Sequence, residues 1–454
     1  MNIEALQISI GKRRAGVLFR YRMAPDTVSI RFVADTEFAN DPNQALTSLA
    51  LHDPNPLKQA AIWADVTAYR LNGTYSARNG WLLPAFFQNL LPEGALRQRL
   101  IELRGCDAQD HFELLAATGR DLPGNVYAEP VHLDRAQQQR LVTQDNDALE
   151  MSVTAEPMEQ GVSVSGVQPK LAVIKHGERY VARTKLQDAH IIAKLPVVGY
   201  PLLPELEALS LQLAAAAGVR TVSAWLEPLT KLACEHGYDL GEANAQTQFL
   251  AVQRYDRDAT IRQASDTGRV HAEDFAQILG VMPEDNYSRS YLEVAAVMLS
   301  QPSLGEAAVH ELLKRIFVNE LLGNPDMHLK NIGVWYPDGR TPELPPAYDI
   351  VGYAAYSGVK GRSGLLLFPQ ADSEHAPMNR LGMGPAVLRA FCARLGLVEK
   401  PASTALRRCA RLALAQWPTL IDGAAITPRM KDRLKAHFLA QPAIASLAKR
   451  QTPG

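Results

Sequence analysis

The sequence has few cysteines, and their spacing matches no cysteine motif. The four cysteines, Cys106, Cys234, Cys392 and Cys409, are scattered over 454 residues without a CxxC pair. This spacing excludes the usual thiolate zinc motifs and the two-cysteine redox motif. We therefore expect small, reduced, hydrophobic side chains of a protein in a reducing compartment.

The chain also lacks a long apolar run and an excess of charge of either sign. No uninterrupted apolar stretch approaches the roughly 18 to 20 residues of a membrane-spanning helix, and the opening MNIEALQISIGKRRAGVLF lacks the order of a signal peptide. Lys and Arg number 47 against 48 Asp and Glu. The net charge of the whole protein therefore does not indicate binding of nucleic acid, although a local basic patch is not excluded. We expect a cytoplasmic globular protein of two or three domains, with no membrane partner.

The order of segments predicts an α+β, bilobal fold. Residues 1–125 read as a strand-rich subdomain that also carries the helical patterns LPAFFQNLLPEGALRQRLIEL and QDHFELLAATG. Residues 126–255 read as strands with one helix, and residues 256–454 as mainly helical, beginning with HAEDFAQILG. The polar stretch at 153–166 is predicted to be mobile. A cleft between a strand-rich and a helical lobe is the default ligand site.

The run GNPDMHLKNIGVW, at residues 323–335, carries the strongest chemical signal. Asp326 and Asn331 are five residues apart, the spacing of the D-x-x-x-x-N catalytic loop of protein kinases. In that loop the Asp accepts or orients the proton of the attacking hydroxyl, and the Asn binds Mg²⁺. His328 and Lys330 lie between them, and Lys330 could offset charge on a transferred phosphoryl group. A polar loop after a helix is also often merely solvated, so this motif needs support from other parts of the chain.

A second carboxylate follows in PAYDIV, where Asp349 comes 18 residues after Asn331 and a predicted hairpin. Two oxygen-bearing side chains on adjacent strands can hold Mg²⁺, which takes few protein ligands. Upstream, HIIAKLP sets Lys194 in a strand pattern, and Glu207 lies on the next helix, placed to pair with it in the manner of kinases. Taken singly, Lys194 also fits a surface lysine, and Glu207 a solvated helix face.

The stretch SVSGVQPKLAV is a candidate phosphate-binding turn. Ser163, Ser165 and Gly166 lead into Lys170 and a strand, and backbone N–H groups of such a turn could cradle phosphates. It is not a Walker A motif, because G-x-x-x-x-G-K-[ST] is absent.

Together these segments resemble the HipA-type serine/threonine kinases, the toxins of bacterial type II toxin–antitoxin pairs. The matching stretches run in the family's order from about residue 86 to 351, and the N-terminal strands fit the long form of the family. They are FQNLLPEG, GRDLPGNV, SVSGVQPKLAV, HIIAKLP, ELEALSLQLAAAAGV, FLAVQRYDR, EDFAQILG, GNPDMHLKNIGV and PAYDIV.

The resemblance implies a protein-kinase-like fold and a role for each matching residue. Asp326 matches the catalytic Asp, Asn331 and Asp349 the Mg²⁺ ligands, and Lys194 the nucleotide-phosphate lysine, supported by Glu207. The main chain of QRYDR would meet the adenine. The expected ATP-binding set is Ser165, Gly166, Val167, Gln168, Lys170, Lys194, Gln253, Arg254, Tyr255, His328 and Lys330.

The resemblance also implies regulation and partners. Ser163 matches the serine that the family autophosphorylates; because the motif reads Ser-Val-Ser, Ser165 is a second candidate. A phosphate there adds about −1.5 to −2 charge beside Lys170 and the ATP phosphates, which would eject the loop and inactivate the kinase. The implied partners are a helix-turn-helix antitoxin, operator DNA reached mainly through it, and an aminoacyl-tRNA synthetase as substrate, glutamyl-tRNA synthetase first. Its phosphorylation would arrest growth and promote persistence.

Two other functions stay open at this point. A corepressor or pseudokinase would act through an antitoxin–operator complex, and loss of Asp326 or Asp349 would have favoured it. A small-molecule phosphotransferase uses the same D-x-x-x-x-N…D order, but SVSGVQPK and PAYDIV argue against that class.

Overall fold

The computed structural model describes residues 2–24, 27–41, 47–137, 150–151, 168–183, 188–234, 236–257, 267–356 and 364–451. In these ranges strands dominate the first part of the chain and helices the last, as the α+β prediction requires. The predicted mobile segment, with Ser163, Ser165, Gly166 and Val167, lies outside the described residues.

The chain opens with an antiparallel sheet in which a later strand joins its first hairpin. Leu6, Ile8 and Ile10 alternate along the first strand and are buried on one face. Its strands are β1 (Asn2–Ile10), β2 (Arg13–Ala24), β3 (Thr27–Ala34), β6 (Val126–Pro130) and β7 (Glu150–Met151). Their order in the sheet is β3-β2-β1-β6, with β7 parallel to β1.

Short helices and one hairpin cover the buried face of this sheet. The pattern LPAFFQNLLPEGALRQRLIEL forms two helices with a break around Pro92, and the helix of QDHFELLAATG ends at Thr118, followed by its C-cap Gly119. The elements are α1 (Thr36–Asn40), α2 (Pro56–Ala64), β4 (Thr74–Ser76), β5 (Gly80–Leu82), α3 (Ala85–Gln88), α4 (Gly94–Arg104) and α5 (His111–Thr118). The sheet includes β6, so it continues past residue 125, where the sequence predicts the end of the first domain. The domain boundary itself stays a prediction.

A second antiparallel sheet contains five strands, in the order β11 (Ala224–Pro228), β12 (Gln248–Gln253), β10 (Ile191–Lys194), β8 (Lys170–His176) and β9 (Arg179–Ala182). One helix, α6 (Leu203–Ala216), packs against it and is buried on almost every side.

The rest of the chain is helical around one small sheet. Trp417 is fully buried, and its indole N–H donates to the carbonyl of Leu213 at 2.8 Å, which joins this part to α6. The elements are β13 (His271–Asp274), α7 (Phe275–Leu279), α8 (Tyr291–Ser300), α9 (Gly305–Leu322), β14 (Gly333–Tyr336), α10 (Pro385–Arg394), α11 (Glu399–Gly423), α12 (Pro428–Ala440) and α13 (Pro442–Gln451). No helix among the described residues is long and apolar enough to cross a membrane.

One helix prediction is wrong at its start. HAEDFAQILG was predicted to be helical throughout, but its first four residues form β13, which pairs with β14. Asp274 then caps α7: its carboxylate accepts the N–H of Gln277, whose side chain accepts the N–H of Asp274. This capping box fixes the helix start and leaves the preceding residues free to pair as a strand.

Candidate active site

A cleft lies between the second sheet and the helical part. One end is apolar, lined by Ile192, Val222, Val252 and Ala272. The other end carries charged and amide side chains: Lys170, Lys194, Asp274, Asn331 and Asp349. A flat apolar group joined to a charged one would match this division of the walls.

A buried ion pair forms the centre of the charged end. The ammonium of Lys194 lies 2.5 Å from Oε1 of Glu207 and also contacts Oδ1 of Asp349. Glu207 is completely buried, and its second oxygen has no hydrogen-bond partner among the described residues. Burial raises the pKa of Glu207, and Lys194 opposes that rise. The lysine and glutamate predicted to pair are thus in contact, and α6 supplies the glutamate.

Lys170 stands beside this pair without a counterion of its own. β8 and β10 are antiparallel, with Lys170 directly opposite Lys194, so the two cations share one face of the sheet. Lys170 is buried, and no carboxylate among the described residues forms an ion pair with it. Burial lowers its pKa to about 8, and Lys194 adds to the effect. An anion in the cleft would relieve this positive charge.

The catalytic-loop candidate begins where α9 ends. Gly323 ends the helix in the left-handed conformation (φ +63°), which glycine adopts more easily than other residues. The Asn324 side chain accepts the Asp326 N–H at 3.0 Å. The side-chain amide of Asn331 donates to the Asp326 carbonyl at 2.7 Å, which spans the loop from its acid to its amide. The Asp326 carboxylate itself is half exposed.

Asp349 reaches the cleft from a strained backbone. Its φ of +52° lies in the left-handed region, which Asp tolerates better than most residues. Such conformations cluster at functional sites. Burial alone would raise the pKa of Asp349, but Lys194 and Lys170 outweigh it and hold the carboxyl below its usual range.

Asn331 and Asp349 fit a magnesium ion. The Asn331 amide nitrogen is bonded to the Asp326 carbonyl, which leaves the side-chain oxygen for the cleft that both residues line. The lowered pKa of the Asp349 carboxyl favours its ionised form. No group of three His, Cys, Asp or Glu among the described residues could hold a metal; an ion that keeps waters and takes phosphate oxygens needs fewer protein ligands.

The predicted hinge lies at the apolar end of the cleft. Gln253 ends β12, and the amide of Tyr255 has no partner among the described residues, while the Tyr255 ring stacks on Tyr348 at 5.6 Å. The Arg254 guanidinium instead binds Asp121 and Asp256 at 3.0 Å each. Arg254 can therefore meet a nucleotide only through its main chain.

The remaining predicted residues differ in how they are placed. Lys330 lines the cleft, but its ammonium is already bound by Glu93 at 2.9 Å and by the Asn89 carbonyl at 3.0 Å. His328 faces Asp326. Gln168 donates to the carbonyl of Leu195 at 3.0 Å, at the start of β8.

Three residues that contribute to this site are not predicted from the sequence. Asp274 lines the cleft, and burial raises its pKa to about 6. Glu93 neutralises Lys330, and Tyr287 donates a hydrogen bond to Asp326 at 2.5 Å. Glu93 falls within FQNLLPEG, a stretch used for the resemblance but given no role.

Comparison with known proteins places the chain in a family. Residues 6–129 match the HipA N-terminal domain model, and residues 162–417 match the HipA-like C-terminal domain model. The chain belongs to the HipA family. Over 329 residues it is 33% identical to "Putative kinase Y4dM" of Sinorhizobium fredii, covering 72% of each chain. It is 30% identical to "Putative kinase Y4mE" of the same organism, covering 60% of this chain and 64% of that one.

A solved structure shares the fold of this chain. The HipA of Shewanella oneidensis MR-1, solved in complex with HipB and its operator DNA, superposes with a TM-score of 0.65. The alignment covers 99% of this chain and all of the other, at 19% identity. The predicted bilobal, kinase-like fold is confirmed.

Proposed function

We propose that this HipA-family chain is an ATP-dependent serine/threonine protein kinase that acts as a toxin. The observation that carries the proposal is the contact of Lys194 with both Glu207 and Asp349, in a cleft that also contains Asn331. A lysine–glutamate pair between strand and helix, next to an Asp and an Asn on the facing loop, is the arrangement that positions ATP in protein kinases.

Each residue has a role in phosphate transfer. Adenine occupies the apolar end, where the Tyr255 amide is available to it, and Lys194 and Lys170 bind the phosphates. Asp326 accepts the proton of the incoming serine or threonine hydroxyl. Asn331 and Asp349 would hold Mg²⁺, which neutralises charge on the β- and γ-phosphates. Residues 165–168 would complete the phosphate site, and His328 and Lys330 would support the loop.

The acceptor and the partners follow the family. The substrate would be an aminoacyl-tRNA synthetase, with glutamyl-tRNA synthetase as the first candidate. Its phosphorylation would block the charging of tRNA, so that growth stops and cells persist. Autophosphorylation at Ser163, or at Ser165, would add negative charge near Lys170 and switch the kinase off. The complex of the Shewanella protein with HipB and operator DNA supports a DNA-binding antitoxin as partner. A reducing cytoplasm is the matching compartment.

The proposal is tested by Asp326→Gln, expressed without antitoxin beside the unchanged chain. We expect arrest of growth by the unchanged chain and none by the variant. Loss of the general base lowers transfer by about 10²- to 10⁴-fold. Binding of Mg·ATP to the purified variant stays within a few-fold. Asp432→Gln, on the exposed face of α12, is the matched control and should remain toxic.

Two results would count against the proposal. A variant that still poisons cells would remove Asp326 from the mechanism. Inhibition of growth by neither protein alone, but by both when the antitoxin and its operator are also supplied, would favour the corepressor instead.

A further inference from the structure

A tyrosine outside the predicted motifs contacts the catalytic loop. The hydroxyl of Tyr287 donates to Oδ1 of Asp326 at 2.5 Å. Its ring meets the ring of His328 edge-on, with the ring centres 5.0 Å apart and the planes at 81°. Tyr287 therefore touches Asp326 and His328 together, although it lies 39 residues before the acid.

The segment that carries Tyr287 is attached to the same loop through its backbone. The N–H of Leu329 donates to the carbonyl of Asn286 at 3.2 Å. Four residues after Tyr287, the buried Tyr291 donates its hydroxyl to the carbonyl of Met327 at 2.8 Å. Tyr287 thus contacts the carboxylate of Asp326, and Tyr291 contacts the main chain of the same loop. Because the segment is attached at both points, the Tyr287 hydroxyl has a defined position.

The hydroxyl of Tyr287 and the ring of His328 both lie against Oδ1 of the Asp326 carboxylate. Nδ1 of His328 accepts the N–H of Lys330 at 3.2 Å, so the neutral ring carries its proton on Nε2. That nitrogen lies 3.6 Å from Oδ1 of Asp326. Burial lowers the pKa of His328 and so favours the neutral ring. Within the described part of the chain, no donor reaches Oδ2.

We infer that Tyr287 is a positioning residue, whose hydroxyl holds Oδ1 of Asp326 and leaves Oδ2 for the acceptor hydroxyl. This inference rests on the proposed function. In the transfer step the acceptor oxygen bonds to the γ-phosphorus, and the bond from that phosphorus to the β,γ-bridging oxygen breaks. ADP leaves, and the acceptor proton passes to Oδ2.

The phenol keeps its proton during this step. Burial and the neighbouring Asp326 raise the pKa of Tyr287 well above its ordinary value. Tyr287 therefore donates at every pH at which the kinase would work, and it exchanges no proton with the substrate. Its contribution is geometric: a carboxylate held at one oxygen presents the other in a fixed direction.

The test is Tyr287→Phe in the full chain, with [γ-³²P]ATP as donor and both glutamyl-tRNA synthetase and the chain itself as acceptors. Loss of a hydrogen bond to a charged group predicts a fall in kcat of about 10- to 100-fold. KM for ATP and the melting temperature should stay close to those of the unchanged chain. Tyr200→Phe is the matched control, because Tyr200 has the same 45% exposure and donates to no described residue through its hydroxyl.

A double variant separates positioning from general loss of structure. Because Tyr287 acts through Asp326, Tyr287→Phe should lower the residual rate of Asp326→Gln no further. A kcat that Tyr287→Phe leaves unchanged or raises would overturn the inference, as would equal losses in both backgrounds. If the unchanged chain transfers no phosphate while binding ATP, the proposed function itself fails, and this inference with it.

Discussion

Replacing Lys194 by methionine tests the buried ion pair that defines the cleft. The change keeps the length of the side chain but leaves Glu207, which is completely buried, without its cation. Removing one partner of a buried pair costs about 3 to 5 kcal/mol, because the remaining charge loses its compensation. We expect a loss of this size in the free energy of unfolding at pH 8.

The loss should depend on pH in one direction. Without Lys194, burial raises the pKa of Glu207 in the folded chain above the unfolded value of about 4.5. A group of this kind destabilises the fold as pH rises through its folded pKa, because its charged form is then buried. Lys194→Met should therefore be least damaging near pH 5 and most damaging near pH 8.

Urea unfolding followed by tryptophan fluorescence measures the effect. Lys435→Met is the matched control, because Lys435 pairs with Asp422 at the surface and its loss should cost at most about 1 kcal/mol. Lys194→Met with Glu207→Gln should recover most of the stability. Equal losses of stability from the two lysine variants at pH 8 would show that Glu207 does not depend on Lys194 for its compensation.

Two further predictions concern contacts of the N-terminal part. Glu273 accepts hydrogen bonds from Ser48 Oγ and the Leu49 N–H, and burial raises its pKa to about 7. The protonated Glu273 side chain therefore stabilises the fold fully below about pH 4.5, and this stabilisation is lost as the pH rises through 7. This amounts to about 3 kcal/mol, and Glu273→Gln should flatten that part of the stability–pH curve; an unchanged slope would contradict the assignment. Gly124→Ala should cost more than about 2 kcal/mol in urea unfolding, because φ is +67° and the new Cβ would lie 2.6 Å from the Ala272 nitrogen. Gly177→Ala, at φ +59° with open space, should cost about 1 kcal/mol; equal costs would show that the clash relaxes.

The sequence predicted contacts that depend on short motifs. The strand with Lys194 and the helix with Glu207 are close in the chain, and their patterns were clear enough to predict the pair. The end of α9 at Gly323 likewise follows from local chemistry, because glycine commonly follows the last residue of a helix. In each case neighbouring residues fix the geometry, and little of the fold beyond them is required.

Contacts between distant segments could not be predicted in this way. Glu93 forms an ion pair with Lys330, and Ser48 donates a hydrogen bond to Glu273. In each pair the two residues are more than two hundred positions apart in the sequence. Tyr287 lies in an ordinary polar turn, and only the packing of α8 beside the catalytic loop brings its hydroxyl to Asp326. The start of HAEDFAQILG was read as helix because its pairing strand, β14, is also distant in sequence.

The most direct test of the account is phosphate mapping by mass spectrometry after incubation with Mg²⁺ and ATP. The purified chain and its Asp326→Gln variant are compared, each with glutamyl-tRNA synthetase present. We expect phosphoserine on Ser163 or Ser165 and on the synthetase with the unchanged chain, and on neither protein with the variant. Absence of phosphate from both reactions, although both proteins bind ATP, would contradict the kinase assignment.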